Sequence, residues 1–551
     1  MKKITWNLLF AVIFVLQLAV AFFFCEKKQG YHYDEYYSYY SSNKTYGLYP
    51  SDREWKDTDQ IISEFMVEEG QGFSYGLVKA MQSFDVHPPL YYMILHTICS
   101  LFPGSFSKWM GLSLNLFFFG ICYLLLLKIS HHIFDKNQKM VLFTGLLFGF
   151  QSGVLSGILF IRMYMLLTVW CMAIILWHSN FWKEKLHMRI KNSIILMALV
   201  FLGFLTHYYF AVFLFFVCAF TCLYEWWGRK NLKQSILYGT VVCFALGLAV
   251  LYYPASLRHI FRGYRGTEAT GAFFDLSNTK LRLEFFLQLM NDSVFGGGFW
   301  ILLLLLLLLI VTVGLKPEKK WFSAFVKEHL GYCHIFAASA GYFIVVAKTA
   351  LLNAEEANRY ELPVYGFIMM ILLGAFYFPS NRFWNLLERK RKEQEENSDC
   401  CENVRKKEVG KKKNVMDLTA TAGIIFLLAF QWSSLQNGGV QFLYEEDEKN
   451  VSWAAGQKDK TIVYCYNPVN EWMIWDESEE LMQYEKIYFI NLLNEEPVED
   501  KLLLEADEIY LYSSRMDQAQ QIMNQLLENN PKIQTKEKIR ELLYCDLYRL
   551  Y

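Results

Sequence analysis

The first polar segment of the chain opens with HYDEYYSYYS, residues 32–41, shortly after an apolar run from Ile4 to Phe24. An apolar run of about 20 residues is long enough to cross a bilayer. The adjacent carboxylates Asp34 and Glu35 are therefore expected where a first membrane span meets water. Membrane anchoring does not require an acidic pair at that depth. The pair either begins a solvated loop or contains a catalytic carboxylate held at the membrane surface.

The composition indicates that lipid is the main solvent of the chain. Of its 551 residues, 54% are hydrophobic and 19% are charged, and the charges cluster between long apolar runs. The formal net charge of −1 favours neither nucleic acid nor an acidic partner. The 12 cysteines show no CxxC or Cys/His metal pattern. Cys465 and Cys545 are expected outside the membrane, either as a disulfide or as free thiols.

Basic residues predict the orientation of the spans. Lys2 and Lys3 place the N-terminus in the cytoplasm. No small-residue cleavage site follows the first apolar run, which predicts an uncleaved span rather than a signal peptide. The later basic loops alternate consistently and predict a multi-pass protein of the cell membrane, with about eleven spans and the C-terminus outside. The predicted spans are 4–24, 109–127, 140–158, 163–179, 193–206, 208–224, 236–254, 298–315, 332–351, 361–378 and 416–432.

The first outer loop, residues 25–108, is predicted to hold interfacial helices. Apolar residues at near-helical spacing between residues 59 and 84 predict an amphipathic helix on the membrane surface. Pro88 and Pro89 predict the start of another helix that runs to about Phe102. At about 15 residues this helix is short for a span, so it is predicted to be re-entrant or interfacial.

The chain is therefore predicted to be a mainly α-helical, polytopic membrane protein with two domains. Residues 1–432 form the transmembrane domain, which includes a charged cytoplasmic linker at 380–415 that is expected to be disordered. Residues 433–551 differ in kind because short apolar strands alternate with helical stretches, which predicts a small extracytoplasmic α/β domain with a parallel sheet. The predicted strands are 461–465, 486–490 and 508–512, and the clearest helix is 516–528.

The predicted topology brings ionisable residues to the outer ends of the spans. Each has a structural explanation when taken singly: Arg162 can reach lipid headgroups, Asp85 can cap a helix, and an interior histidine such as His207 is more often structural. Their shared side and depth favour a functional site. The set comprises Asp34, Glu35, Asp85, His87, Arg162, Tyr164, His207, Arg258, His259, Arg262, Arg265, Arg359 and Tyr360.

This set of residues suits the transfer of a group from a lipid-linked donor. The planar guanidinium fork of arginine matches a phosphate. A carboxylate can accept the proton of an acceptor hydroxyl as that hydroxyl attacks the anomeric carbon of a sugar. Tyrosines can line a sugar site by stacking and hydrogen bonding.

The chain resembles the C-type membrane glycosyltransferase superfamily, in its protein O-mannosyltransferase and aminoarabinose lipid A transferase branch. The motifs are Asp34-Glu35 after the first span, HPPL at 87–90 and RMY at 162–164, with weaker support from THY at 206–208 and RYELP at 359–363. Together they cover roughly residues 1–370. The resemblance implies a hexosyl- or pentosyltransferase that moves a sugar from a polyprenyl-phosphate donor to a cell-envelope glycan, lipid or protein acceptor on the outer face.

The resemblance also implies roles for single residues. Asp34 would be the catalytic base, and Glu35 would support it or the acceptor. No metal or other cofactor is expected, because the lipid A branch has a metal-binding Glu where this chain has Val86. Nothing resembles the sugar-binding domain of the protein mannosyltransferases, so a protein acceptor has no support. The expected donor-binding residues are His87, Arg162, Tyr164, His207, Arg262, Arg359 and Tyr360.

Two alternatives from other classes stay open. A transporter or flippase of lipid-linked sugars would have internal repeats and charged groups at mid-membrane. The sequence shows no repeat, and its charges lie at the span ends. A non-catalytic scaffold whose outer domain binds a partner would not need Asp34.

Overall fold

A computed structural model describes residues 3–44, 50–183, 188–313, 321–395 and 423–551. This part of the chain is mainly helical, with one small sheet. The helices are α1 (Lys3–Lys27), α2 (Tyr33–Asn43), α3 (Thr58–Ser63), α4 (Tyr75–Phe84), α5 (Leu90–Leu101), α6 (Lys108–Ile133), α7 (Gln138–Phe148), α8 (Ser152–Leu159), α9 (Tyr164–Lys183), α10 (Ile190–Phe204), α11 (Tyr209–Leu223), α12 (Leu232–Tyr252), α13 (Ala255–Phe261), α14 (Tyr264–Phe274), α15 (Thr279–Phe295), α16 (Phe299–Val313), α17 (Trp321–Glu328), α18 (Leu330–Thr349), α19 (Ala354–Glu395), α20 (Gly423–Gln436), α21 (Asp447–Ala455), α22 (Ser478–Leu481), α23 (Lys501–Leu504) and α24 (Asp517–Asn529).

The long apolar helices are those of a multi-pass membrane protein. Within the described residues, seven helices are long and apolar enough to cross a membrane, and the number rises to nine if two bent pairs each count as one span. The shorter apolar helices α10 and α20 lie where two further spans were predicted. With these two the total would reach eleven, and that count stays a prediction. The seven are α1, α6, α9, α11 with the π-helical turn that extends it to Gly228, α12, α18 and the part of α19 from Glu356 to Pro379.

The structure differs from the prediction at three places, which are one span, one outer loop and one linker. The predicted span 140–158 is the pair α7 and α8, which is bent by 55°. The predicted outer loop 255–297 is largely helical, and its last helix, α15, meets α16 at a bend of 87°. Helix α19 continues to Glu395, so residues 380–395 of the predicted disordered linker are helical. The rest of that linker lies outside the described residues, as does Lys2.

The first outer loop contains a helix after the two prolines, as predicted, and its place at the membrane surface stays a prediction. Pro89 precedes the first residue of α5, a helix of 12 residues. At a rise of 1.5 Å per residue this helix is about 18 Å long, which is too short for a hydrocarbon core of about 30 Å. The single amphipathic helix predicted within 59–84 is instead two helices, α3 and α4, joined by the non-helical residues 64–74.

The sheet of the C-terminal domain is mixed rather than wholly parallel. Its six strands are β1 (Glu54–Asp57), β2 (Thr461–Tyr466), β3 (Lys486–Asn491), β4 (Ile509–Ser514), β5 (Lys536–Glu541) and β6 (Cys545–Leu550), in the order β1-β3-β2-β4-β6-β5. The predicted strands β2, β3 and β4 pair in parallel, whereas the other three pair antiparallel. Strand β1 comes from the first outer loop and pairs Trp55 with Tyr488. The loop and the C-terminal domain therefore share one sheet.

The two faces of the sheet are buried against different partners, because side chains alternate along a strand. Tyr464 and Phe489 belong to the core that is continuous with the transmembrane helices. Val463 and Cys465 face the opposite side, where α24 packs with Ile522. Cys465 and Cys545 are both buried free thiols, so the disulfide alternative is wrong for this pair. The Cys545 thiol donates a hydrogen bond to Glu477 at 3.3 Å.

Candidate active site

Helix α2 begins with a capping box that fixes the positions of Asp34 and Glu35. The Nδ1 atom of His32 accepts a hydrogen bond from the Asp34 backbone N–H at 3.1 Å. The Glu35 carboxylate in turn accepts one from the His32 backbone N–H at 2.7 Å. This reciprocal pair satisfies two backbone donors that a helix start leaves free. The acidic pair therefore lies in the first turn of a helix and not in a solvated loop.

The contacts of the Glu35 side chain are those of a buried structural carboxylate. Both Glu35 and Lys28 have fully buried side chains, and they form an ion pair at 2.9 Å. Lys28 also donates to the Phe442 carbonyl at 2.9 Å. The second Glu35 oxygen accepts a hydrogen bond from the Ile161 backbone N–H at 2.7 Å. Glu35 thus joins the end of α1, the α8–α9 connection and the segment that leads into the C-terminal domain.

We expect Glu35→Ala to lower the thermal unfolding midpoint of the protein in lipid nanodiscs. Removing one partner of a buried ion pair costs about 3–5 kcal/mol, because the other charge stays buried without compensation. The double substitution Lys28→Met with Glu35→Gln should recover part of the loss. Glu445→Ala is the matched control, since its ion pair with Lys27 lies at the same junction with side chains 47% and 55% exposed. Exposed pairs contribute about 0–1 kcal/mol. Equal midpoints for Glu35→Ala and Glu445→Ala would contradict this role.

Asp34 lies between two buried arginines. Arg359 Nη1 donates to Asp34 Oδ2 at 2.5 Å, and Arg162 Nη2 lies 3.8 Å from Asp34 Oδ1. The side chains of Arg162 and Arg359 are 2% and 4% exposed, whereas that of Asp34 is 21% exposed. Burial alone would raise the pKa of Asp34, but the charges of Arg162 and Arg359 outweigh it and hold the pKa well below its ordinary value. The carboxylate is therefore charged and reachable from one side.

Further hydrogen bonds fix both arginines. Arg162 Nη1 donates to the Asp34 carbonyl at 3.2 Å and to the Ser38 hydroxyl at 3.3 Å. Arg359 Nη2 donates to Glu356 at 2.7 Å and to the Tyr360 hydroxyl at 3.1 Å. Each guanidinium group also has a buried Nε–H with no hydrogen-bond partner among the described residues. The two cations are held in place and retain donors for an anion.

His87 and Asp85 form a second polar pair in the same cluster. His87 Nδ1 lies 2.8 Å from Asp85 Oδ2, and the two side chains are 19% and 11% exposed. The rings of His87 and His207 have centroids 5.9 Å apart. Asp85 follows α4, and two prolines follow His87, so the chain turns sharply here and presents both side chains from one turn.

Aromatic rings line the space around Arg359. Its guanidinium carbon lies 5.7 Å from the Tyr164 ring and 5.0 Å from the Tyr360 ring. The ring of His207 lies 5.4 Å from that of Tyr164. His207 Nδ1 accepts the Tyr209 backbone N–H at 3.0 Å. Burial, and then the proximity of His87, Arg162 and Arg359, hold the pKa of His207 well below its ordinary value. His207 is thus a neutral ring that contributes no charge to the cluster.

The structure brings eight of the nine predicted site residues together and leaves one apart. Arg262 is exposed after α13, and among the described residues no side-chain hydrogen bond or ion pair of it is found. Arg265, three residues further on, is also exposed and forms an ion pair with Glu268 at 3.2 Å. The eight are Asp34, Glu35, His87, Arg162, Tyr164, His207, Arg359 and Tyr360.

Two residues at the site were not among the predicted site residues. Glu356 accepts from Arg359, from the Tyr33 hydroxyl at 3.0 Å and from Asn353 at 2.9 Å. Its spacing of three residues from Arg359 on a helix was a usable signal. Lys28 contacts Glu35 across a helix end, and no periodicity predicts that contact.

Divalent metal binding has little support from the residues present. Within the described parts of the chain, no three His, Cys, Asp or Glu side chains lie together in a way that could hold a metal ion. Val86 supplies no ligand, and the Asp85 carboxylate is engaged with His87. The expectation that the site works without a metal stays a prediction.

The C-terminal domain packs on the face of α2 that carries the tyrosines. The ring of Trp472 lies 5.3 Å from Tyr33, and that of Trp475 lies 5.6 Å from Tyr37. The segment 471–477, a 3₁₀ turn, supplies both tryptophans. This domain therefore covers one side of the cluster around Asp34.

The overall fold of the chain is similar to that of a protein of known crystal structure. The crystal structure of ArnT from Cupriavidus metallidurans bound to undecaprenyl phosphate aligns with a TM-score of 0.52 and 11% sequence identity, covering 100% of this chain and 98% of that one. The sequence matches no family model and no curated protein. The similarity confirms the predicted fold class: a helical membrane domain followed by a small C-terminal domain with a sheet.

Proposed function

We propose that this protein is a membrane glycosyltransferase that moves a hexose or pentose from a polyprenyl-phosphate donor to a hydroxyl group in the cell envelope. The observation that carries the proposal is the pair of buried arginines that converge on the partly exposed carboxylate of Asp34. The fold is shared with a protein whose crystal structure contains undecaprenyl phosphate. A fixed pair of guanidinium groups beside a reachable carboxylate is suited to holding a phosphate next to a base.

Arg162 and Arg359 would bind the donor phosphate. Their guanidinium groups flank the partly exposed carboxylate of Asp34. A phosphate that binds there replaces part of the contact between Asp34 and the arginines. The pKa of Asp34 then moves back up towards its ordinary value, because the charges that depress it are shared with the phosphate. Donor binding would thereby prepare Asp34 to take a proton.

The transfer step then follows from these positions. The acceptor oxygen forms a bond to the anomeric carbon, and the bond from that carbon to the phosphate oxygen breaks. The electron pair leaves with the polyprenyl phosphate, whose added charge the two arginines stabilise. The hydroxyl proton moves to Asp34. We propose that Glu35 supports this arrangement by holding the Ile161 backbone, and through it Arg162, in place.

The remaining site residues would bind the sugar and the acceptor. Tyr164, Tyr360 and His207 surround Arg359 and offer rings and hydrogen-bond donors to a sugar. We propose that the site faces the outer side of the cell membrane, with the N-terminus cytoplasmic and the C-terminal domain extracytoplasmic. That domain lies against α2 and would border the acceptor, a cell-envelope glycan or lipid.

The test uses purified full-length protein in lipid nanodiscs with a panel of synthetic undecaprenyl-phosphate hexoses and pentoses. Membrane and cell-wall extract serves as the acceptor. We expect at least one donor to release undecaprenyl phosphate at a rate that depends on the extract. Movement of these lipids across a vesicle membrane without their cleavage would instead identify a flippase and refute the transferase. Failure to cleave any member of the panel would also count against the proposal.

A further inference from the structure

Asp85 and His87 form a carboxylate–imidazole pair in which the carboxylate orients the ring. This geometry differs from that of a histidine that binds a phosphate. The Asp85 carboxylate contacts Nδ1 of His87 at 2.8 Å. A charged carboxylate can only accept, so Nδ1 carries the hydrogen and Nε2 has a free lone pair when the ring is neutral. This is the arrangement by which a carboxylate fixes the tautomer and orientation of a histidine that acts as a base.

The groups around this pair come from six other parts of the chain. Arg162 from the α8–α9 connection and Asp34 from α2 both act on His87, with opposite effects on its pKa. The ring centroids of His207 and His87 are 5.9 Å apart. His87 also contributes to lowering the pKa of His259 in α13. Tyr37, Tyr92 and Tyr253 face the Asp85 carboxylate from α2, α5 and the end of α12.

Burial and Asp85 act in opposite directions on His87. Burial lowers the pKa of the imidazole and is the larger effect, Asp85 raises it, and the net result lies below the ordinary value. The ring is therefore neutral near pH 7. A neutral ring adds no positive charge for a phosphate, a role that Arg162 and Arg359 already fill. Its Nε2 lone pair can receive a proton.

We propose that His87 is a catalytic proton acceptor in the transfer and that Asp85 is its positioning residue. This inference rests on the function proposed above. Asp34 takes the proton of the acceptor hydroxyl and passes it to Nε2 of His87, which leaves Asp34 charged and the imidazole protonated. Asp85 stabilises the imidazolium ion, which then releases the proton to water. Bonds and charges balance without a further reactant.

The experiment is a pH–rate profile of undecaprenyl phosphate release between pH 4.5 and 8.0, using the donor that the panel identifies. We expect the wild-type rate to fall as the pH drops through a pKa below that of a free histidine, because protonated His87 cannot accept. His87→Gln should lower kcat by about 100-fold, lose this acid limb and change KM by less than about threefold. Asp85→Asn should move the acid limb to lower pH, since the group that raises the pKa of His87 is gone.

Control variants distinguish a wrong role for His87 from general damage to the protein. His131→Gln, at the far end of α6, should keep both rate and profile. His87→Asn is a second variant in case His87→Gln unfolds. If His87→Gln raises KM and leaves kcat unchanged, His87 is a phosphate ligand and the inference is wrong. An acid limb that persists in His87→Gln overturns it as well. A wild-type protein that cleaves no donor refutes the proposed function and this inference with it.

Discussion

Asp34→Asn is expected to abolish sugar transfer while strengthening the binding of undecaprenyl phosphate. The loss of the base should lower kcat by about 10³-fold or more. Asparagine fills the same space but carries no charge, so it no longer competes with a phosphate for Arg162 and Arg359, which contact Asp34 at 3.8 and 2.5 Å. We expect the Kd for undecaprenyl phosphate to fall by about 3–10-fold. Single-turnover release and equilibrium binding in nanodiscs measure the two effects separately.

The opposite signs of these two effects make the result diagnostic. Asp292→Asn serves as the matched control, because Asp292 is exposed and hydrogen-bonded to Gln288, and it should change neither quantity. A variant that loses transfer and binding together has a damaged site and tells against the specific role of Asp34. A variant that retains transfer would leave Asp34 with a structural function only, as the scaffold alternative requires.

Asp34 and Glu35 show how far the sequence alone could predict this site. Their position after a first span indicated a functional carboxylate, and the structure places Asp34 beside Arg162 and Arg359, whereas the contacts of Glu35 were not predicted. Neighbouring residues in a helix point about 100° apart, so Asp34 faces the two arginines and Glu35 faces Lys28. The partners that distinguish them come from residues 28, 161 and 442. Only the tertiary fold brings those residues together.

The basic residues 258–265 illustrate a similar limit. Four of them fall within eight positions, and the sequence offered no reason to prefer one. Helix α13 ends at Phe261, and a new helix starts at Tyr264. The direction of the chain therefore changes between Arg262 and Arg265. Both arginines are exposed, and Arg265 forms an ion pair with Glu268 of the second helix.

The fold was predictable where hydrophobicity alone determines it. Long apolar runs predicted the long spans. Short apolar runs that alternate with helical stretches predicted β2, β3 and β4. The bend between α7 and α8 was not predicted because the run 140–158 has the length of one span, although the break between the helices contains Gly149 and Gln151. Strand β1 has the polar sequence EWKD, which carries no strand pattern. It forms because the edge of β3, more than 400 residues away in the chain, offers backbone partners.

Arg359→Ala is expected to weaken the binding of undecaprenyl phosphate by about 10–100-fold. Hydrogen bonds to a charged group contribute about 1.5–3 kcal/mol each, and each 1.4 kcal/mol corresponds to about tenfold in Kd. Arg359→Lys should fall between alanine and the wild type, because a lysine keeps the charge but loses the planar fork. The change is opposite in sign to that of Asp34→Asn, although the two residues form one ion pair. Titration of nanodisc-embedded protein with undecaprenyl phosphate gives all three values.

Arginine 359 also neutralises buried Glu356, so its removal has a structural cost that must be separated from the loss of binding. Glu356 keeps hydrogen bonds from Tyr33 and Asn353 in the variant, which limits that cost. Arg189→Ala, an exposed arginine at the start of α10, is the matched control and should leave the Kd unchanged. If Arg359→Lys and Arg359→Ala both bind undecaprenyl phosphate as tightly as the wild type at normal thermal stability, the phosphate does not lie between the two arginines. The donor would then have to approach Asp34 from the side of Asp85 and His87.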